Sequence, residues 1–370
     1  MFKSVLSRTT LAVLSLYALS ACQMTPQFSQ NRGANTAISL PAFQSQTGTA
    51  TEVADDAGDA LTDDLFRDFD QGVVKENLNL HTQGYLTLDA GAQQGLFVSR
   101  PLQAPFEFDA FLSAWNADAS VKVEYRTGLD GRNFGPWQGL QIERDVKLNQ
   151  KQRFVQYRLT FVRPENSNRD VRFEGIHFLF GIQRQQPTQT GQRRPHQVTK
   201  PEVVSRAAWR ARPPKGNYAT HTIDGIVVHH TWRPTQAQYK QDATMRGIQN
   251  YHMDNNKWSD IGYHFIIGPE GTIYQGRPET VIGAHSSPNT GKVGICVVGD
   301  YDPGQDRFTA ASQESLVQLM TWLTAEYGIS TQEYYGHRDF APKTCPGDDI
   351  YSKMDAMRTE IIRRLQAAGL

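Results

Sequence analysis

The sequence predicts two folded domains. The first is an all-β sandwich over residues 66–183; the second is an α/β domain over 201–370, with a mixed central β-sheet flanked by helices. Three observations carry this. Between 66 and 183, short runs alternate apolar and polar residues with period two and are separated by Gly- and Pro-containing turns. After 201, short apolar runs of strand length alternate with stretches whose apolar residues recur at helical spacing. Between them, 184–200 is a Gln-rich stretch with Pro187, Gly191, Pro195 and the basic pair Arg193 and Arg194, the composition of a solvated linker.

The length of 370 residues suits two or three domains. Lys+Arg 38 balances Asp+Glu 38, so no net field draws the chain to nucleic acid. Three cysteines are too few for a disulfide scaffold, so each is assigned separately: Cys22 to processing, Cys296 to a core, Cys345 to metal.

Residues 1–21 read as an export signal. Lys3 and Arg8 give the basic start, and 11–21 is apolar with small residues, too short to span a bilayer as a helix. The stretch ends in Leu19, Ser20, Ala21 and Cys22, which resembles the bacterial lipobox. That resemblance implies cleavage before Cys22, lipidation of Cys22 and a membrane anchor. Gln23 follows, without an aspartate, which by resemblance to lipoprotein sorting favours the outer membrane of a two-membrane cell envelope. Residues 22–65 are rich in Gln, Thr, Ala, Ser and Asp and poor in large apolar groups, the composition of a flexible tether. Its acidic end, Glu52, Asp55, Asp56, Asp59, Asp63 and Asp64, reads as a solvated run.

In the β-rich domain, period-two strands are expected at 85–88, 106–111, 121–125, 157–162 and 176–180, with turns at 128–131 and 133–136. The pattern loosely resembles the jelly-roll modules that accompany carbohydrate-active enzymes. Trp115 and Trp137 are sugar-stacking candidates, with packing the better reading of each because large aromatics dominate sandwich cores.

In the second domain, 226–228, 263–267, 272–274 and 293–298 read as strands. Residues 236–255 carry Met245, Ile248 and Tyr251 at helical spacing. Thr309 is an N-cap for a helix burying Leu316, Leu319, Leu323 and Tyr327 and stopped by Gly328. A last helix starts near Asp348 and faces inward with Ile350, Met354, Met357, Ile361 and Leu365.

The stretch 336–348 places His337 and Cys345 eight positions apart on one irregular loop, and the run 226–228 delivers His229 and His230. Imidazole nitrogen and thiolate sulfur are ligands that a borderline-soft ion such as Zn2+ prefers. Three protein ligands leave a fourth position open for water, as a catalytic site requires. A structural role for either member of the histidine pair stays open on these grounds.

The motifs at 205–209, 211–214, 226–231, 251–254, 258–265, 268–277, 283–285, 293–300 and 337–348, in that order, resemble the peptidoglycan recognition protein family. That family belongs with the type 2 zinc-dependent N-acetylmuramoyl-L-alanine amidases. The resemblance covers nearly all of 201–370 and none of 23–190. It implies Zn2+ held by His229, His337 and Cys345, with Tyr263 and Lys343 as catalytic neighbours. Many animal members carry threonine where this chain has Lys343, and the cysteine pair common in animal relatives is absent here. Trp258, Arg277, His285 and Asn289 fall on segments that line the family's substrate cleft, and each also admits a structural role. The implied activity is hydrolysis of the bond between N-acetylmuramic acid and L-alanine in peptidoglycan or muropeptides. The alternative is a non-catalytic module that binds or senses peptidoglycan. Cys296, mid-strand among apolar neighbours, reads as a buried free thiol.

Overall fold

The computed structural model describes residues 59–63, 69–165, 167, 169–183 and 197–370. The expected signal, Cys22, most of the tether and linker residues 184–196 lie outside this set. The described residues fall within one compact unit. Among them, no helix is long and apolar enough to cross a membrane.

The first region is built from strands β1 (Ala60–Asp63), β2 (Val74–Glu76), β3 (Leu78–Leu80), β4 (Leu86–Leu88), β5 (Gln94–Val98), β6 (Leu102–Ala117), β7 (Val121–Gly128), β8 (Gln138–Gly139), β9 (Val146–Val162) and β10 (Arg172–Gly181). Their hydrogen bonding differs from the expected two-sheet sandwich. The strands form one ten-stranded network, ordered β2-β5-β9-β6-β10-β4-β3, with β1 on β10 and β7 on β8 and β9. The two longest strands, β6 and β9, pair antiparallel with register shifts near Gln103, Phe108 and Ala110. Such shifts mark bulges, which bend a strand and increase its twist. The network encloses Phe97, Phe108, Phe111, Tyr157, Phe161, Phe173, Phe178 and Phe180, all fully buried. Burial of each such ring contributes about 1.5–3 kcal/mol.

Pairing begins earlier than the sequence suggests. Ala60–Asp63 is a strand in register with β10, Ala60 opposite Leu179 and Asp63 opposite Ile176. Asp59 and Asp63 are buried rather than solvated. Tyr157 donates to Asp63 at 2.6 Å, and the partners of Asp59 belong to the site described below. Where the composition reads as a tether, this segment instead adds a strand to the edge of β10.

The second region has a five-stranded mixed sheet: β11 (Gly225–His230), β12 (Phe265–Ile267), β13 (Ile273–Gln275), β14 (Lys292–Val297) and β15 (Tyr334–Gly336), ordered β13-β12-β14-β11-β15. β11 runs parallel to β14 and β15, β12 runs parallel to β14, and β13 is antiparallel to β12. One face packs Ile226, Val228, Phe265, Ile267, Ile295 and Val297 against α2 (Ala310–Tyr327), α3 (Asp348–Tyr351) and α4 (Met354–Ala367). The other packs Ile266 and Cys296 against Trp209 and α1 (Asp242–Asn250). Helices on both faces explain why these strands read as continuous apolar runs. Thr309 caps α2 by accepting from Ser312 N, and Gly328 closes it in the left-handed conformation at φ 66°. Residues 236–255 are less regular than expected: a short turn (Gln236–Gln238), α1, then a wider π-type turn (Tyr251–Asn255).

The two regions meet through a small apolar cluster of Leu112, Ala114 and Leu179 with Trp258 and Ala284, and through polar contacts. Arg277 pairs with Glu143 at 3.0 Å. Asp145 accepts from the backbone of Asn289 and Thr290. At Gly181 the backbones come so close that a Cβ would lie 1.8 Å from Ser287 O, so only glycine fits there.

Candidate metal centre and its cleft

Strand alternation sets which side His229 faces. Ile226 and Val228 face the α2–α4 core, so Val227 and His229 face the opposite side. His229 lies opposite Cys296 of β14, at the C-terminal end of parallel strands. His337 opens the short turn His337–Asp339 that follows β15. That loop is tied down: Arg338 N donates to Cys345 O at 2.8 Å, Gly336 N to Asp339 Oδ2 at 2.8 Å, and Tyr351 Oη to Asp339 Oδ1 at 2.8 Å. Cys345 Sγ accepts from His230 N at 3.4 Å and lies 3.8 Å from His229 Nδ1. His229, His337 and Cys345, all buried, offer ligand atoms within 4.8 Å of one another, a group able to hold a metal ion.

Burial, then the neighbouring His337, pushes His229 well below its usual range. It is therefore neutral at physiological pH, the form that ligates metal. Burial likewise pushes His230 down to about 3, and its Nδ1 accepts from Tyr301 N. A second group of His230, Asp300 and Asp302 has its carboxylates engaged by Arg233 and Thr344.

His285 Nδ1 lies 3.0 Å from His229 Nε2, on the ring nitrogen turned away from Cys345. Burial pushes His285 well down in pKa. Its ring packs on Gly294, where a Cβ would come within 2.4 Å. Asn289 is buried and fixes the His285 loop by accepting from His285 N at 2.8 Å and Ser286 N at 3.1 Å. Tyr263 lines the cleft, its ring centroid 5.2 Å from that of His229. Trp258 packs beside His252 and against His177 of β10. Arg277 stands apart from the cleft lining, with its guanidinium on Glu143, Ile261 O and Ile282 O. Trp115 packs against the β-region core, and Trp137 lies under the guanidinium groups of Arg126 and Arg158.

The cleft also holds residues that sequence reasoning did not place there. Asp59 Oδ2 is 3.0 Å from His337 Nε2, and Asp59 Oδ1 is 2.7 Å from Lys343 Nζ. Burial alone would raise the Asp59 carboxyl, but Lys343 and His337 outweigh it and hold the group well below the usual carboxylate range. Ala60, His177 and Leu179 complete that wall. No local signal marks these residues, because they reach the site only through strand pairing.

Residues 219–348 match the family described as N-acetylmuramoyl-L-alanine amidase. Over 165 residues, covering 41% of this chain and 83% of the relative, the chain is 35% identical to peptidoglycan-recognition protein SC1a of Drosophila melanogaster. It is 30% identical to the Homo sapiens N-acetylmuramoyl-L-alanine amidase over 167 residues, covering 43% of this chain and 28% of that protein. Among solved structures, the endolysin N-acetylmuramoyl-L-alanine amidase LysCS of Clostridium intestinale is 28% identical, with a TM-score of 0.37, covering 43% of this chain and 96% of that one.

Proposed function

This chain belongs to the peptidoglycan-recognition protein family, and from that premise we propose that it is a zinc-dependent N-acetylmuramoyl-L-alanine amidase acting on peptidoglycan or soluble muropeptides. The observation that carries the proposal is the convergence of His229, His337 and Cys345 on one point beside Lys343 and Tyr263. The donor set suits zinc. Tetrahedral zinc with nitrogen at about 2.1 Å and sulfur at about 2.3 Å separates those atoms by roughly 3.6 Å, and His229 Nδ1 is 3.8 Å from Cys345 Sγ.

Bound there, zinc supplies Lewis-acid polarisation and makes water acidic enough to ionise near neutrality. The protein supplies the rest. The Lys343 ammonium and the Tyr263 phenol line the same cleft, and both are donors for the negative charge that develops on an amide carbonyl oxygen. His285 orients the His229 ring through its outer nitrogen. Burial of the three ligands keeps bulk water from screening these charges. Trp258 gives the cleft an apolar wall. Anchoring of the chain to the envelope through lipidated Cys22 is part of the proposal and rests on the sequence pattern.

The test is mass analysis of what the purified protein releases from peptidoglycan with zinc present. Stem peptides with a free N-terminal alanine and glycan strands with intact lactyl carboxyls are expected. Binding without release would favour the non-catalytic alternative.

A further inference from the structure

The cleft around His229, His337 and Cys345 is nearly closed: its cavity is about 40 Å³. Sites for small ligands run to about 300–1,000 Å³, so a muramyl peptide cannot enter this form. Two kinds of residue close it. His177 and Leu179 come from β10, and Asp59 and Ala60 come from the chain at and just before β1. Asp59 places one carboxylate oxygen on His337 and the other on Lys343, the groups assigned to metal and to the developing negative charge. Ala60 packs with Leu179, Trp258 and Ala284.

The two closures are held very differently. β10 pairs along its length with β6. Its region is bound to the second sheet by the Glu143–Arg277 pair, by Asp145 on Asn289 and Thr290, and by the Gly181–Ser287 approach. β1 is four residues long and pairs with β10 alone among the described strands. Among the described residues its side-chain anchors include Asp63 on Tyr157, Asp59 in the cleft, Ala60 against Leu179 and Trp258, and Leu61 on the β-region core. The segment 59–63 is therefore the part that can leave while both sheets stay in place.

We propose that residues 59–63 form an autoinhibitory strap, in which Asp59 occupies the anion-binding pole of the cleft and must withdraw before an acidic muropeptide can bind. The inference rests on the amidase reading for what the cleft accepts, but not for the closure itself. Withdrawal takes the Asp59 carboxylate off Lys343 and opens the cleft toward Cys345 and the face of Trp258.

The test uses the full chain as parent, Asp59→Ala and Leu61→Asp. The second variant loosens β1, whose Leu61 packs on the β-region core, without touching the cleft. One readout is the rate of Cys345 alkylation by iodoacetamide after chelation, followed by mass on the Cys345 peptide. The other is kcat/KM for a soluble muropeptide with zinc. Both variants are expected to raise both by about ten- to a hundredfold, the scale of one charge-assisted contact. Unchanged alkylation in both folded variants overturns the strap, as does a fall in kcat/KM for Asp59→Ala with no rise for Leu61→Asp. Faster alkylation with no hydrolysis by any of the three proteins sustains the strap and overturns the amidase reading instead.

Discussion

Buried Arg277 and half-buried Glu143 form a two-pronged ion pair between the two regions, with Nη1 3.0 Å from Oε2 and Nη2 3.2 Å from Oε1. The same carboxylate accepts from Ser259 N and Ser259 Oγ. The β-region is thus joined to the α/β region by desolvated charge rather than by a loose tether.

Removing one partner of such a pair leaves the other charge buried. Glu143→Ala is expected to destabilise the protein by about 3–5 kcal/mol. Glu143→Leu combined with Arg277→Met recovers most of that loss. Urea unfolding midpoints of the three proteins check this; equal midpoints for parent and Glu143→Ala contradict it.

The same pair carries a pH signature. Burial opposes ionisation of Glu143, but the Arg277 guanidinium outweighs it, with Ser259 adding hydrogen bonds, so the folded group titrates below its ordinary value. A depressed folded value means the stabilisation is present above the unfolded value, about 4.3, and is lost as pH falls through the folded one. The stability gap between parent and Glu143→Gln therefore narrows below about pH 4 and is constant from pH 6 to 8. Unfolding curves across that range test it.

His285→Ala removes the contact on His229 Nε2 while leaving all three ligands. Metal affinity is expected to fall by about ten- to a hundredfold, the usual cost of losing a partner behind a ligand. Competition with a chromogenic chelator measures it. An unchanged affinity assigns His285 to the substrate alone.

Lys343→Met retains the ligand set and deletes the ammonium. The expected loss is about 10²–10³-fold in kcat at unchanged zinc content. Full activity in this variant would remove Lys343 from the chemistry.

Much of the α/β region was legible because its cues are local. The apolar run at 226–228, the cap at Thr309 and the stop at Gly328 each depend on a few adjacent residues. The pairing of His337 and Cys345 in one group able to hold a metal ion agrees with what the family resemblance implies. The rest depends on distant partners. Asp59 sits in an acidic, low-complexity stretch whose composition says solvated, and only pairing with β10 carries it 284 positions to Lys343. Arg277 reads equally as a cleft residue or a structural one, and its pairing with Glu143, 134 positions away, has no local signal. The strands β2 and β3, three residues each, are too short to show a period-two pattern, and in β5 Gly95 interrupts it. Its missing Cβ leaves room for Leu78 and Leu88, at 2.7 and 2.8 Å from where that atom would stand.

The most direct measurement compares the parent with Cys345→Ala and His337→Ala for bound zinc and for release of alanine-terminated stem peptides from purified peptidoglycan. The account predicts about one zinc and steady release for the parent, with both lost together in each variant. Variants that release stem peptides as fast as the parent, or a parent that takes up no zinc, would contradict it.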